Sequence, residues 1–412
     1  MTDFLFNGRR ITQPGVYTEV KSGINNAPLA LPFGNVLVID KDDTSFHGNG
    51  AGIAGEASEG KQAFYTFQTI TSFREFIGGG LFYDLAQPLF RPFGSGNSGV
   101  STLYYVRALT TVGATLSLAF DAGTIVFKAL NEGISGNGVI TNGRLTRGYS
   151  IRLQAGVSDA NKFIFKFYRG TFKGNDPATG RAYDDIIEAD SAPEIIAQSP
   201  EVATIEEFMQ WALGEGTFVN NFSITTGANV TGAIIVGDLT SFTTDQLFTG
   251  GASTYNTARI NEVLAAIKDA NINYILSTDK GLDAISIDNF KIATFLDTEM
   301  IDPATLVVPA GNTSGVFESQ SIAAAQAYNS QNVVVVHGGV QVIDIRANTG
   351  LRDKDVLYNA ALFTGRKTGL PPQTPATYKG VDIAGVLHDL TSDEKDTAIR
   401  NGVLVVGYSP EL

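Results

Sequence analysis

The side chains best suited to acid–base or metal chemistry are scarce in this sequence. Its 412 residues include three histidines, His47, His337 and His388, and no cysteine. No two histidines have the H-x-x-x-H spacing that places two imidazoles on one helix face. Without cysteine there is no disulfide, no thiol nucleophile and no Cys-ligated zinc or iron–sulfur site. We therefore interpret each histidine as structural or solvated and expect no metal centre.

One glycine-rich segment matches a nucleotide-binding pattern. Residues 50–55 read GAGIAG, which fits G-x-G-x-x-G. A dinucleotide site needs this turn to leave a strand directly and to open a helix whose amino terminus holds the pyrophosphate. Here the match begins ten residues after Asp40, where the nearest strand-like run ends, and EASEGKQAF after it is a poor amphipathic helix. We interpret the match as accidental and place it in a surface loop.

The acidic stretch at 175–190 is a second candidate, in this case for calcium. When Gly180 is aligned with the glycine of an EF-hand loop, the third ligand position falls on Pro177 and the twelfth on Ile186. Neither side chain can supply an oxygen ligand, so the spacing fails and a solvated loop is favoured. The alternative is a looser Ca²⁺ site formed by Asp176, Asp184 and Asp185.

Missing motifs and composition exclude several functional classes. The chain has neither a G-x-S-x-G turn nor a G-x-x-x-x-G-K-[ST] loop, so we expect no enzyme activity and no cofactor. Its net charge of −13 disfavours a general nucleic-acid-binding surface. No apolar run reaches the eighteen or so residues of a membrane span. The chain length of 412 residues, with 43% of them hydrophobic, predicts two or three soluble domains, one of them inserted in another.

Hydrophobic periodicity predicts the elements of these domains. Strands are predicted at 16–20, 35–40, 102–109, 161–169, 273–277, 332–336 and 403–406. Helices are predicted at 204–214, 257–270, 319–329, 354–367 and 393–401. Capping boxes of the S/T-x-x-E type begin two of these helices, at Thr204 and Thr391.

The order of these elements predicts the fold class. Helices and strands alternate over 251–412, which implies a partly parallel, doubly wound sheet that strands from 14–110 complete. Residues 111–250 are β-rich. We therefore expect an α+β or α/β multidomain protein, with a core α/β domain built from both ends of the chain, an inserted β-rich domain and an N-terminal arm at 1–13.

Segments in collinear order along nearly the whole chain also resemble one protein family. They are QPGVYTE at 13–19, ALNEGISGNG at 129–138, FTGGAS at 248–253, YNAALFTG at 358–365, GLPP at 369–372, TYK at 377–379 and GV at 402–403. Together they are similar to segments of the sheath proteins of contractile phage tails. The second segment resembles the start of the inserted domain of sheaths, and the third resembles the return to the core.

The resemblance implies a structural subunit of the phage virion that is assembled in the host cytoplasm. Such a subunit polymerises helically with copies of itself around the tail tube and contracts to drive the tube through the host envelope. The implied partners are the tail tube protein and the baseplate and tail terminator proteins, without nucleic acid or membrane insertion. The inserted domain is expected to project outward.

Two segments are the expected contacts between subunits. Extended arms of sheath subunits add strands to a neighbour's sheet, and residues 1–13 have the character of such an arm. The contact residues that we predict are Phe4, Phe6, Arg9 and Arg10 in the arm, and Asp393, Glu394, Lys395 and Arg400 in the helix at 393–401. The alternatives are a frayed terminus and a solvated helix.

Other interpretations stay open at this point. A subunit of a bacterial contractile injection or secretion machine would share the fold, and a surface-layer protein or an unassigned α/β protein would share the composition. In sheath proteins the chain continues beyond the strand that corresponds to 403–406, whereas this sequence stops at Leu412. We therefore expect residues 1–412 alone to stay monomeric or to form small oligomers.

Overall fold

The computed structural model describes most of the chain, in two compact units, Met1–Pro32 and Phe33–Leu412. The described residues are 4–6, 9–11, 34–41, 65–77, 81–92, 99–121, 123–141, 143–170, 193–226, 231–235, 238, 242–255, 257–268, 270–278, 287–300, 304–311, 317–343, 350–370 and 381–406. The predicted strand at 16–20, the GAGIAG segment, the acidic stretch at 175–190 and His47 lie outside them.

Twenty-two strands and nine helices are found in these ranges. The strands are β1 (Phe4–Phe6), β2 (Arg9–Ile11), β3 (Asn35–Asp40), β4 (Tyr65–Phe67), β5 (Thr102–Arg107), β6 (Leu109–Phe120), β7 (Gly123–Glu132), β8 (Val139–Thr141), β9 (Arg144–Arg147), β10 (Tyr149–Ala155), β11 (Phe163–Arg169), β12 (Glu194–Gln198), β13 (Phe222–Thr226), β14 (Gln246–Leu247), β15 (Ala252–Tyr255), β16 (Tyr274–Ser277), β17 (Thr305–Ala310), β18 (Val333–His337), β19 (Val340–Ile343), β20 (Leu351–Lys354), β21 (Gly385–Val386) and β22 (Val403–Val405). The helices are α1 (Ile70–Ile77), α2 (Leu81–Phe90), α3 (Ile205–Gly214), α4 (Gly216–Val219), α5 (Thr257–Ile267), α6 (Ile287–Thr298), α7 (Phe317–Tyr328), α8 (Val356–Thr368) and α9 (Ser392–Arg400). None of these helices is long and apolar enough to cross a membrane.

A seven-stranded sheet organises the larger unit, in the order β22-β18-β17-β16-β3-β5-β4. All neighbouring strands are parallel except β4, which runs antiparallel to β5. Because β3 pairs with β16, strands from both ends of the chain share one sheet. The predicted fold class, a multidomain mixture of α and β structure with a core built from both chain ends, is confirmed.

Helices cover both faces of this sheet. Val36 and Val38 face a cluster that includes α1, α2 and α8, whereas Leu37 and Ile39 face α5, α6 and α7. Every residue of β3 is buried, which is why its middle, residues 36–39, is a continuous apolar run. Full burial of one such aliphatic side chain stabilises the fold by about 1.5–3 kcal/mol.

Between β5 and β16 the chain builds a β-rich lobe, defined here as residues 113–250. It contains the sheet β12-β11-β10-β14 and the strands β13-β7-β6 of a second sheet, whose fourth strand, β15, lies outside the lobe. A third apolar cluster lies between them and includes Phe163, Phe165 and Phe167, which the alternation at 161–169 predicts to share a face. Helix α3 closes the cluster, and the ring of Phe208 stacks on that of Phe165 at 4.0 Å between centroids.

The capping-box predictions fared differently at the two helices. At α9 both hydrogen bonds of the box are present between Thr391 and Glu394. At α3 the Thr204 hydroxyl accepts from the Glu207 amide, as predicted, but the Glu207 carboxylate accepts from the amide of Ala203. The prediction of a reciprocal pair at Thr204 was wrong, because the carboxylate reaches one residue further back.

Candidate assembly surfaces

The first site to test is the crevice where doubly wound sheets bind their ligands. It lies at the carboxyl ends of the strands, where the order of the sheet runs from β3 towards β5 on one side and β16 on the other. Here the Lys41 amino group lies 2.7 Å from an Asp288 carboxylate oxygen, and these side chains are 9% and 8% exposed. The Lys41 amide donates to the Thr278 hydroxyl at 3.0 Å. A buried ion pair between two of the chain's own residues therefore lies at the carboxyl end of β3.

The histidines that the structure describes do not converge on a site. His337 ends β18, is buried, and its Nδ1 lies 2.8 Å from the Ser321 hydroxyl. Gly311 makes room for this ring, since a Cβ there would lie 2.7 Å from Nδ1. Burial, and then the charge of exposed His388, lower the pKa of His337. No described group of three His, Asp or Glu side chains is arranged to hold a metal ion.

Strand β22 forms one edge of the seven-stranded sheet. It pairs in parallel with β18 along one side, from Val403 to Val405, and the described residues place no strand on its other side. Val403 is buried, whereas Leu404 and Val405 are half-buried. The unpaired N–H and C=O groups of such an edge are a template for a further strand.

Helix α9 lies beside β22 and carries four of the predicted contact residues. Ala398 is the one residue of the helix that is buried. The Glu394 carboxylate accepts from the Thr391 amide at 2.7 Å, and this backbone hydrogen bond lowers the pKa of Glu394. Lys395 pairs with Asp389 at 2.7 Å. Two predicted contacts, Glu394 and Lys395, thus have partners within the chain.

The other two predicted contact residues of α9 lie open at its ends. Asp393, in the first turn, and Arg400, in the last, are exposed. Each charge suits the helix dipole at its own end. This arrangement provides an exposed, charged helix surface next to an open sheet edge.

The predicted contact residues of the arm lie in the smaller unit. Phe4 and Phe6 belong to β1, and Arg9 and Arg10 belong to β2. The two strands pair antiparallel, with Phe6 opposite Arg9. The segment is thus strand-forming, and whether it contacts a neighbouring subunit stays a prediction.

Comparisons with known proteins found relatives by structure alone. No family model matches the chain, and no curated protein matches it. The fold is similar to the crystal structure of a sheath tail protein from Desulfitobacterium hafniense, with a TM-score of 0.58 and 16% identity over 96% of this chain and 72% of that one. It is also similar to a sheath tail protein from Listeria innocua, with a TM-score of 0.51 and 14% identity over 91% of this chain and 66% of that one.

The similarity covers nearly the whole chain, so it includes the seven-stranded sheet, the β-rich lobe and the C-terminal helices. The fold is therefore that of sheath tail proteins, as the collinear segments in the sequence indicated. The chain spans about two thirds of the length of the Listeria protein.

The buried ion pair at the end of β3 gives a stability prediction. Lys41→Ala leaves the Asp288 carboxylate buried without its cation, and we expect it to lower the free energy of unfolding by about 3–5 kcal/mol. Urea denaturation followed by circular dichroism measures the change. The control is Lys268→Ala, which breaks an exposed pair with Glu299 at 3.7 Å. It should cost about 0.5 kcal/mol or less.

A second variant separates the ion pair from general packing. Lys41→Met combined with Asp288→Leu replaces both charges by apolar groups, and most of the lost stability should return. Equal losses for Lys41→Ala and Lys268→Ala would show that the buried pair contributes no more than the exposed one.

The lowered pKa of His337 predicts a pH dependence of stability. The unfolded chain takes up this proton near the ordinary histidine value of about 6.5, whereas the folded protein takes it up only at lower pH. Above about pH 6.5, His337 is neutral in both states and the protein keeps its full stability. Below that pH the unfolded state binds the proton first, so the free energy of unfolding declines as the pH falls. His337→Gln should lose less of its melting temperature between about pH 7.5 and about pH 5.5 than the wild type does. Parallel pH profiles for the two proteins would show the assignment to be wrong.

Proposed function

We propose that this chain is the structural subunit of a contractile phage tail sheath. In this role it polymerises helically around the tail tube and contracts to drive the tube through the host envelope. The observation that carries the proposal is the fold, since 96% of the chain aligns with a sheath tail protein.

The arrangement of the sheet suits an open helical polymer. Helices cover both faces, so the sheet can be extended only at its edges, and β22 offers such an edge. We propose that residues 1–13 of one subunit add a strand to β22 of the next. A contact between two different surfaces does not close on itself after one copy, so it generates a helix of many subunits.

The apolar clusters support a proposed division into domains. The cluster of the β-rich lobe draws on residues from 114 to 248, whereas the two clusters of the sheet draw on residues before 109 and after 259. We propose a core of 14–110 with 251–412 and an inserted domain of 111–250 that projects outward. Separate cores would let the inserted domain vary without disturbing the polymer.

The remaining partners in this proposal are the tail tube protein at the inner surface and the baseplate and tail terminator proteins at the two ends. The exposed residues Asp393 and Arg400 of α9 would contact the tube or an adjacent subunit. The free energy for contraction would come from better packing between subunits in the contracted lattice. If the extended lattice is metastable, contraction requires no bound nucleotide. The site of action would be the virion, after assembly in the host cytoplasm.

Negative-stain electron microscopy of the protein, produced from its full open reading frame, tests this function. We expect hollow, striated tubes of uniform width at high protein concentration. Deletion of residues 1–13 should abolish the tubes and leave the melting temperature unchanged, because the deleted residues lie outside the larger unit. The matched control is Leu213→Ser, which alters a side chain of the β-rich lobe that is 69% exposed, and it should still form tubes.

Isolated particles under all conditions, with and without the tail tube, would contradict the proposal. Tubes that form equally well after the deletion would leave helical assembly standing but would exclude the arm as the connecting strand.

A further inference from the structure

A two-stranded ribbon joins the β-rich lobe to the seven-stranded sheet. The start of β6 follows β5 after Ala108 and pairs over 109–112 with β15, which leads into α5. One face of the ribbon is open, since Val112 is 55% exposed. The apolar clusters on its two sides share no residue. A two-stranded ribbon is marginally stable alone, so the angle of the lobe requires a further restraint.

The side chain of Asn137 supplies two hydrogen bonds at the end of this ribbon. Its Nδ2 donates to the carbonyl oxygen of Gly251 at 2.9 Å, and its Oδ1 accepts from the amide of Gly251 at 2.8 Å. The primary amide of asparagine carries an NH2 donor group beside a carbonyl acceptor, so it can pair with both backbone polar groups of a single residue. Gly251 must lack a Cβ here, because a Cβ would lie 2.3 Å from the Gly133 carbonyl oxygen.

Backbone hydrogen bonds tie the same turn to strand β6 of the ribbon and to the lobe. The Gly133 amide donates to Val112 of β6 at 3.1 Å, and the Gly138 amide donates to Phe248 at 2.8 Å. Phe248 in turn donates to Tyr149 of β10 at 3.1 Å. Asn137 therefore lies where the ribbon and strands from both sheets of the lobe meet.

We propose that Asn137 is a latch that fixes the angle of the β-rich lobe on the ribbon, so that lobe and core move as one body. The latch rests on these contacts and not on the role in a sheath. The residues of the latch belong to two of the segments that carry the resemblance noted in the sequence, 129–138 and 248–253.

Distance measurement between two spin labels tests the latch in the full chain. The absence of native cysteine allows labels at Val157→Cys in the lobe and Ile287→Cys on α6, positions that are 86% and 73% exposed. We expect a narrow distance distribution with Asn137 in place and a broader or shifted one with Asn137→Ala. The matched control is Asn221→Ala, which removes a hydrogen bond to the Thr217 carbonyl within the lobe and should leave the distribution narrow.

Hydrogen exchange provides a second, local readout. Exchange of the Gly251 amide should accelerate about tenfold in Asn137→Ala, because its acceptor is lost. Asn137→Asp serves as the milder variant if Asn137→Ala fails to fold, since it keeps the shape but replaces the Nδ2 donor by a carboxylate oxygen facing the Gly251 carbonyl. A narrow, unshifted distribution in the variant that folds, with protection of Gly251 unchanged, would overturn the proposal.

Discussion

The covering of the parallel sheet on both faces is the constraint on which the other features depend. Its strands are buried between helices, so the sheet cannot stack on another molecule through either face and can be extended only in its plane. At the β22 edge, Ala398 is the one buried residue of the neighbouring α9, and the described residues pair no strand with the outer side of β22. An open edge and a strand-forming N-terminal segment are the two surfaces that the proposed assembly would join between subunits.

Polar interactions fix what the apolar clusters leave undefined. Three separate clusters stabilise three regions, yet none of them determines how the β-rich lobe is oriented on its ribbon. The proposed latch of Asn137 on Gly251 acts where the lobe meets the ribbon. The Lys41–Asp288 pair lies at the end of β3, where other doubly wound sheets bind their ligands. At both positions the polar side chains bind other parts of the same chain.

Much of the fold can be predicted from the sequence wherever a segment shows one clear hydrophobic period, that of a strand or that of a helix. Strand β3 and the alternating Phe163–Phe165–Phe167 face were found as predicted, because each pattern reflects a single environment. Helix α6 was missed because Asp288 and Asn289, both buried, interrupt its apolar stripe. Helices α1 and α2 were not predicted, because glycines separate and follow them and Pro88 lies inside α2. The Lys41–Asp288 and Asn137–Gly251 contacts join residues far apart in sequence, so no local period could reveal them; collinear glycine motifs were the one signal of the second.

Disulfide trapping between two singly substituted proteins tests most directly whether one subunit's N-terminal residues extend the β22 edge of the next. One preparation carries Phe4→Cys, Phe6→Cys or Arg9→Cys, the other carries Leu404→Cys, and the native chain contributes no thiol. We expect at least one mixture to form a disulfide-linked heterodimer on mild oxidation, while either protein alone forms far less homodimer. Absence of the heterodimer at all three arm positions, at concentrations where the protein assembles, would contradict the proposed contact.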